Sequence, residues 1–401
     1  MSRLLNKCAN ASVVERRNDT LNLGDEALNL IVPQPVVTDA SELNSDIANA
    51  ILRDAEPMQT NAKQGVMEES TKQKVRRLAA HCNNYRGSVP RKAYFQLAST
   101  LIPLAILVIA MFATVRTAYW ATLLLAIPGG GLLVRAFIIQ HDCGHGSFFS
   151  SRSSNDFVGR CMSVLTMAPY ALWKREHAQH HASSGNLDRR GAGDIDTLTV
   201  SEYLALSKWG QLRYRMYRSA AFLFGFGVPA YFLIVQRLPW LHALKPADCW
   251  KSVMGLNLAL ALFYGPLMYV FGVADVFKIV VPMVFVASAA GGWLFFIQHQ
   301  FEDTLWEKAE GWDFQVAALL GSSFYDLPKV LNWFTGNIGM HHIHHLNSMI
   351  PNYRLQECLN ASPELKAINR LTIRESLKCA SLKLWDEQRH RLIRFNEIQA
   401  A

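Results

Sequence analysis

The 401-residue sequence is poor in charge, lacks paired cysteines and has no aromatic side chain in its first 60 residues. Only 18% of the residues are charged, whereas 50% are hydrophobic, which is the top of the range for soluble proteins. The seven cysteines form no Cys-x-x-Cys pair, which argues against a disulfide framework. The first 30 residues lack the basic and apolar parts of a secretory signal, so we expect the N-terminus to stay on the side of synthesis.

The net charge of +8 would be compatible with nucleic-acid binding, but its placement argues otherwise. Basic residues gather at 72–92, just before the first long apolar run, and at 389–394 near the end. Anionic lipid headgroups and the positive-inside rule explain this placement better. We therefore predict a lipid bilayer as partner and no nucleic acid.

Long apolar segments predict an all-α integral membrane protein. A helix of about 20 residues crosses the roughly 30 Å of hydrocarbon in a bilayer. We predict about four such spans, arranged as two hairpins, at residues 95–115, 118–140, 253–272 and 279–298.

Two weaker apolar segments lie between the hairpins, at 157–172 and 219–236. The first contains Arg160 and is expected at the membrane interface. The second is long enough to cross, but the histidine clusters described below must share one membrane face if they share a metal site. An even number of crossings is then required between residues 181 and 299, so we predict that 219–236 is interfacial or re-entrant.

These segments predict three parts. Residues 1–90 are expected to form a largely disordered tail that ends in a basic juxtamembrane segment. Residues 91–360 are expected to form the membrane domain, with a helical cap. Residues 361–401 are expected to form a basic cytosolic tail.

Ten of the 13 histidines fall in four short places. A single pair spaced by four residues is common by chance, but two His-x-x-His-His clusters are not. On a helix, positions i, i+3 and i+4 share a face, so each such cluster is expected to aim three imidazoles at one point. The four places are HDCGH (His141, His145), HAQHH (His177, His180, His181), QHQFED (His299) and HHIHH (His341, His342, His344, His345).

Nine of these imidazoles are too many for one four-coordinate zinc, so the sequence predicts two metal ions. Imidazole suits zinc, copper, iron and nickel alike. No cysteine-rich set favours a copper carrier, and the paired Glu-x-x-His of soluble di-iron bundles is missing. A histidine-rich pair of metals beside hydrocarbon indicates iron and O2 chemistry.

The boxes HDCGH, HAQHH and HHIHH, with a hydrophobic hairpin between the second and the third, resemble those of the membrane fatty acid desaturases. The resemblance runs from about residue 95 to about residue 355, and HDCGHGSFF, WKREHAQHH and HHIHHLNSMIPNYRL carry it most specifically. The short first box and QHQFE are more similar to the acyl-lipid, Δ12/omega-6 branch than to the stearoyl-type branch.

This resemblance implies a four-helix membrane stem and a cytosolic cap that holds two irons and receives the acyl chain. It carries ligand roles to His141, His145, His177, His180, His181, His299, His341, His344 and His345, and leaves His342 as the spare. In the stearoyl-type branch an Asn lies one turn before the isolated histidine, where this sequence has Phe295. Asn337 is an alternative candidate for that role.

Polar and aromatic residues that flank the boxes are secondary candidates. Metal-bound histidines usually donate their second N–H to a carboxylate or carbonyl. Candidates for such contacts are Asp142, Asn186, Asp188, Asp194, Asp196, Glu302 and Asp303. Four tryptophans are expected either in an acyl tunnel or at headgroup level: Trp173, Trp306, Trp312 and Trp333.

The sequence thus predicts an O2-dependent fatty acid desaturase. Its substrate would be a fatty acyl lipid, acyl-CoA or acyl-carrier protein. No haem, flavin, nucleotide or iron–sulfur motif is present, so electrons would come from a separate ferredoxin or small cytochrome. Alternatives are a histidine-box hydroxylase or ketolase acting on acyl chains, alkanes or carotenoids, and a non-enzymatic metal-binding membrane protein.

Overall fold

Helices dominate the part of the chain that the computed structural model describes, which is residues 61–191, 194–241 and 246–398. The predicted tail up to residue 60 lies outside the described residues. In chain order the helices are α1 (Asn61–Asn83), α2 (Pro90–Thr114), α3 (Tyr119–His145), α4 (Arg152–Thr166), α5 (Tyr170–Ser183), α6 (Val200–Ala205), α7 (Lys208–Tyr217), α8 (Ala220–Phe222), α9 (Val228–Leu233), α10 (Pro246–Phe271), α11 (Val273–His299), α12 (Phe314–Leu320), α13 (Lys329–Phe334), α14 (His341–Leu346), α15 (Asn352–Asn360), α16 (Pro363–Ala367) and α17 (Ile373–Cys379).

The longest apolar helices form the two predicted hairpins, α2 with α3 and α10 with α11. Both α3 and α11 continue beyond the predicted spans and carry His141, His145 and His299 in their last turns. The prediction of an all-α membrane fold is confirmed, with small strands confined to the cap. The helices therefore deliver the first histidine box and the isolated histidine to the same end of the apolar bundle.

Close packing inside the bundle depends on small residues of α3. A Cβ on Gly130 would lie 2.6 Å from Cγ1 of Val286, and one on Gly129 would lie 2.8 Å from Sδ of Met283. These contacts bring α3 against α11, as small residues do between membrane helices. Van der Waals packing, rather than hydrophobic exclusion, holds helices together in a lipid environment.

The segment 219–236 differs from a regular span. It consists of α8, a π-helical turn at Leu223–Gly227, α9 and a 3-10 turn at Val235–Arg237. By length and composition Ala220–Arg237 is nevertheless one of five helices in the described residues that could cross a membrane. The sequence predicts four crossings, and the re-entrant or interfacial placement of this fifth segment stays a prediction.

We call residues 146–191, 194–217 and 300–398 the cap. Its β1 (Leu198–Thr199), β4 (Leu384–Asp386) and β5 (Arg391–Ile393) form one sheet in the order β1-β4-β5. Its β2 (Phe324–Asp326) and β3 (Arg370–Thr372) form a parallel pair. The pairing of β1 with β4 is parallel, and that of β4 with β5 is antiparallel.

Two predicted tails differ from the structure. Residues 361–401 are predicted to be a tail, yet β3, β4 and β5 complete both sheets, and Trp385 is only 1% exposed. The predicted tail at 1–90 contains α1, whose Val75 and Leu78 pack in one core with Ile343 and Leu355. The ordered structure of both segments was not predicted, because it depends on partners that are distant in the chain. Strands of two or three residues are also too short to show a detectable period.

Candidate metal centre

Nine histidines converge in two separate groups. The five-histidine group contains His141, His145, His177, His181 and His344. The four-histidine group contains His180, His299, His341 and His345. Within each group, one ring nitrogen of every histidine lies within 4.8 Å of one ring nitrogen of every other. All nine predicted ligand residues are therefore brought together.

The second and third boxes each divide between the groups, which corrects the expectation that one box aims at one point. His177 and His181 of α5 belong to one group, whereas His180 belongs to the other. On a helix with 3.6 residues per turn, positions i+3 and i+4 point about 100° apart. One box can therefore serve two ions, and α14 does the same with His344 against His341 and His345.

The ring nitrogens have the spacing that a shared cation requires. In the five-histidine group, Nε2 of His181 lies 3.1 Å from Nε2 of His177 and 3.0 Å from Nε2 of His344. In the other, Nε2 of His299 lies 3.1 Å from Nε2 of His180 and 3.0 Å from Nε2 of His341. Nitrogens about 2.1 Å from one ion and at right angles to each other are roughly 3 Å apart.

Burial makes these imidazoles good ligands. It lowers the pKa of His177, His181, His341, His344 and His345 well below 6.5, and neighbouring imidazoles add to the effect. The neutral imidazole, which is the ligating form, is therefore favoured. Among the described residues, the buried Nε2 atoms of His141, His145 and His345 have no hydrogen-bond partner. A shared cation would satisfy these nitrogens, so the residues fit two metal ions.

Two predicted carboxylates contact histidines of the site. Nδ1 of His141 lies 3.0 Å from Oδ1 of Asp142, and Nδ1 of His180 lies 2.5 Å from Oδ1 of Asp194. Each carboxylate accepts the Nδ1 proton and leaves Nε2 of the ring free for a metal, the usual outer-shell arrangement.

The other predicted outer-shell residues make different contacts. Oδ1 of Asn186 accepts from the backbone N–H of Asp188, whose own Oδ2 accepts from Ala309. Glu302 pairs with Arg391 at 3.0 Å. Asn337 donates to the carbonyl of Asn352, Asp303 is exposed, and the carbonyl of Asp196 accepts from Arg218.

Three supporting contacts were missed by sequence reasoning. Nδ1 of His299 donates to the carbonyl of Gly321 at 3.1 Å. Asn352 donates twice to Oδ2 of Asp142, and the Trp173 ring stacks on His177 with centroids 4.5 Å apart. A carbonyl carries no sequence signal. Trp173 lies one helical turn before its partner His177 in WKREHAQHH, so this spacing was a signal that could have found the contact. Asn352 lies in HHIHHLNSMIPNYRL, but its partner Asp142 is 210 residues away.

His342 and Phe295 stand apart from the nine. Nε2 of His342 donates to the carbonyl of Leu365 at 2.8 Å, and burial lowers the pKa of its ring to about 4. Phe295 packs against His180 and His299, with ring centroids 5.3 and 5.7 Å apart. The position that holds a metal-directed Asn in the stearoyl-type branch thus places an apolar ring against the four-histidine group.

A small pocket reaches the four-histidine group from the cap. Its lining includes Asp194, Phe295, His299 and Trp306. The pocket combines the outer-shell carboxylate of His180 with an apolar wall. Trp306 is buried and lines this pocket, and its placement in an acyl tunnel or at headgroup level stays a prediction.

A membrane-associated helical fold with two histidine groups at the ends of apolar helices defines a candidate multi-histidine metal centre. The family model described as fatty acid desaturase matches residues 76–374, which is most of the chain. The chain belongs to the fatty acid desaturase family.

Individual relatives agree with this assignment. A fatty acid desaturase of Bacillus subtilis is 36% identical over 332 residues, which cover 83% of this chain and 94% of that protein. The sn-1 acyl-lipid omega-3 desaturase (ferredoxin) of Synechocystis sp. is 29% identical over 243 residues, or 58% of this chain and 64% of the relative. The sn-1 oleoyl-lipid 12-desaturase of Anabaena variabilis is 27% identical over 238 residues, or 57% and 64%.

Proposed function

We propose that this protein introduces a cis double bond into a fatty acyl chain, using O2 and two iron ions held by the nine histidines. The observation that carries the proposal is the pair of histidine groups at the ends of α3 and α11. This position lets an acyl chain leave the bilayer and approach the metals without crossing bulk water.

The overall reaction balances as CH2–CH2 plus O2, two electrons and two protons giving CH=CH plus two waters. Bound iron would supply the O2 activation and the hydrogen abstraction from an unactivated methylene that no side chain can perform. The chain's own residues hold the metals and exclude water. Asp142 and Asp194 orient His141 and His180, and Trp173 covers His177.

The two electrons require an external donor, for which we propose a ferredoxin or a small cytochrome. The relative from Synechocystis sp. carries the word ferredoxin in its name.

We also propose a multi-pass topology with the cap in the cytosol. The basic residues at 72–92 precede α2 on the cap side, whereas at the opposite end Arg116 pairs with Asp275.

For the regiochemistry we propose the Δ12/omega-6 type and an acyl-lipid substrate. Support comes from the short HDCGH box and from the oleoyl-lipid 12-desaturase among the relatives. The acyl-lipid omega-3 desaturase among them defines the competing outcome, which is a double bond nearer the methyl end.

Expression in a host that lacks polyunsaturated lipids tests the reaction and its position. Gas chromatography and mass spectrometry of the host fatty acids should show a new product with two hydrogens fewer, and derivatisation of its double bond gives the position. A product that gains one oxygen would indicate the hydroxylase or ketolase alternative instead.

The metal-binding alternative predicts a different result from the same cells. A protein that only binds metal would be purified with iron but leave the host fatty acids unchanged, even when a ferredoxin and its reductase are co-expressed. A purified wild-type protein without bound iron would contradict the proposed function directly.

A further inference from the structure

A chain of buried polar groups connects the first membrane helix to the five-histidine group. Nε2 of Gln96, in α2, donates to Oδ1 of Asn352 at 2.9 Å. Nδ2 of Asn352 donates to Oδ2 of Asp142 at 2.7 Å, and Oδ1 of Asp142 lies 3.0 Å from Nδ1 of His141. Gln96, Asn352, Asp142 and His141 are each at most 3% exposed.

The carboxylate of Asp142 is fixed from two directions. Its Oδ2 accepts from both the side chain and the backbone N–H of Asn352, at 2.7 and 2.6 Å. Asn352 is the first residue of α15, so this backbone N–H has no partner within its own helix. The partial positive charge of the helix N-terminus also favours an anion there. Oδ2 of Asp142 is therefore occupied by two donors, and Oδ1 is left to accept from Nδ1 of His141.

The donor and acceptor of each hydrogen bond in this chain determine which tautomer His141 adopts. Asn352 can only donate to Asp142 through Nδ2, because its Oδ1 is occupied by Gln96. With Oδ2 saturated by two donors, Oδ1 of Asp142 accepts the Nδ1 proton of His141. The tautomer of His141 with a free Nε2 follows, and that Nε2 atom is buried without a partner in the described residues.

We propose that Asn352 and Gln96 are positioning residues that fix the orientation and tautomer of His141 through Asp142. The inference rests on the proposed function because it needs a metal at the five-histidine group. A buried amide in an apolar helix is costly, and that of Gln96 is satisfied only at Nε2, by Asn352, while Oε1 has no partner among the described residues. The contact with Asn352 is therefore the one polar interaction of this side chain that the described residues show.

Metal release from full-length protein in lipid nanodiscs tests the proposal. Wild-type protein loaded with iron is titrated with a chelator, and bound iron and helical content are measured at each step. Two groups should give two release phases. Asn352→Asp has nearly the same shape but sets a second carboxylate against Asp142. It should weaken one phase by about 10–100-fold, the usual cost of losing an outer-shell partner.

Three comparisons distinguish a positioning role from a general structural one. Asn360→Asp, at the exposed far end of the same helix, should leave both phases unchanged. Gln96→Leu should weaken the same phase as Asn352→Asp, by a smaller factor. Asp142→Ala with Asn352→Ala should be no worse than Asp142→Ala alone, because both act through one histidine.

Three outcomes would overturn the proposal: an Asn352→Asp release curve that overlays the wild type, equal weakening of both phases in every variant, or additive effects in the double variant. Equal weakening would indicate a general role in folding. Failure of the proposed function looks different, because the wild type itself would then be purified without bound iron.

Discussion

The two histidine groups differ in how the protein supports them. His141 of the five-histidine group is oriented by Asp142, which is 1% exposed and tied to α2 through Asn352 and Gln96. In the four-histidine group, His180 is oriented by Asp194, whose side chain is 15% exposed and lines the pocket. One group is therefore fixed from the membrane side and the other from the cap surface.

Removing one histidine from either group should have the largest effect on desaturation and on iron content. His344→Ala and His180→Ala should each abolish desaturation in the host assay, because an ion that loses an imidazole is poorly held. Each should also lower the iron content by about one ion per chain, from its own group. His390→Asn is the control, since His390 is exposed and its positive φ of 47° is tolerated by Asn. Loss of both ions from either variant would show that the groups are not independent.

The second largest effect is expected from Asp194, the carboxylate that contacts His180 in the four-histidine group. Asp194→Ala removes the acceptor for Nδ1 of His180 and should weaken one iron-release phase by about 10–100-fold. Asp194→Asn keeps an acceptor oxygen and should lose much less. If Asp194→Ala released iron as the wild type does, Asp194 would be a solvated surface carboxylate without influence on His180.

Acidification should destabilise the metal-free protein. The lowered pKa values of His177, His181, His341, His344 and His345 mean that these rings stay neutral in the fold at pH values where the unfolded chain binds protons. Stability is therefore full above about pH 6.5 and falls as the pH drops below it. Thermal unfolding at pH 7.5 and 5.5 measures this.

Replacing the histidines of one group at a time by Gln compares the two groups directly. Each replacement should reduce part of the difference in unfolding temperature between pH 7.5 and pH 5.5. Metal-free protein with the same unfolding temperature at both pH values would contradict the burial of neutral imidazoles.

The smallest effect is expected at the aromatic cover of the five-histidine group. Trp173→Phe shrinks the ring that stacks on His177, at a cost of about 0.5–1.5 kcal/mol, which is at most roughly a tenfold weaker release phase. Trp209→Phe on the exposed face of α7 is the matched control. A change in the four-histidine phase instead would mean that Trp173 acts on the fold rather than on its neighbour.

The candidate metal ligands were predictable because each box is a local pattern on one helix. Spacings of three and four residues in HAQHH and HHIHH, and the position of HDCGH and His299 at the ends of apolar runs, identified all nine histidines that the fold gathers. The division of each box between two groups was not predictable, because the fate of His180 or His344 depends on which partner helix faces it. Asn352 was missed for the same reason, since its carboxylate partner lies 210 residues away.

By itself the sequence determined the apolar hairpins, the ligand chemistry and the family, because hydropathy, helical spacing and imidazole are properties of short segments. Only the tertiary structure decided which imidazoles lie in one group and which carboxylates contact them. It also decided that the C-terminal segment completes the sheets of the cap. Such pairings join groups that are distant in the chain, and a hydrogen bond about 3 Å long is fixed only once every packed helix has its final position.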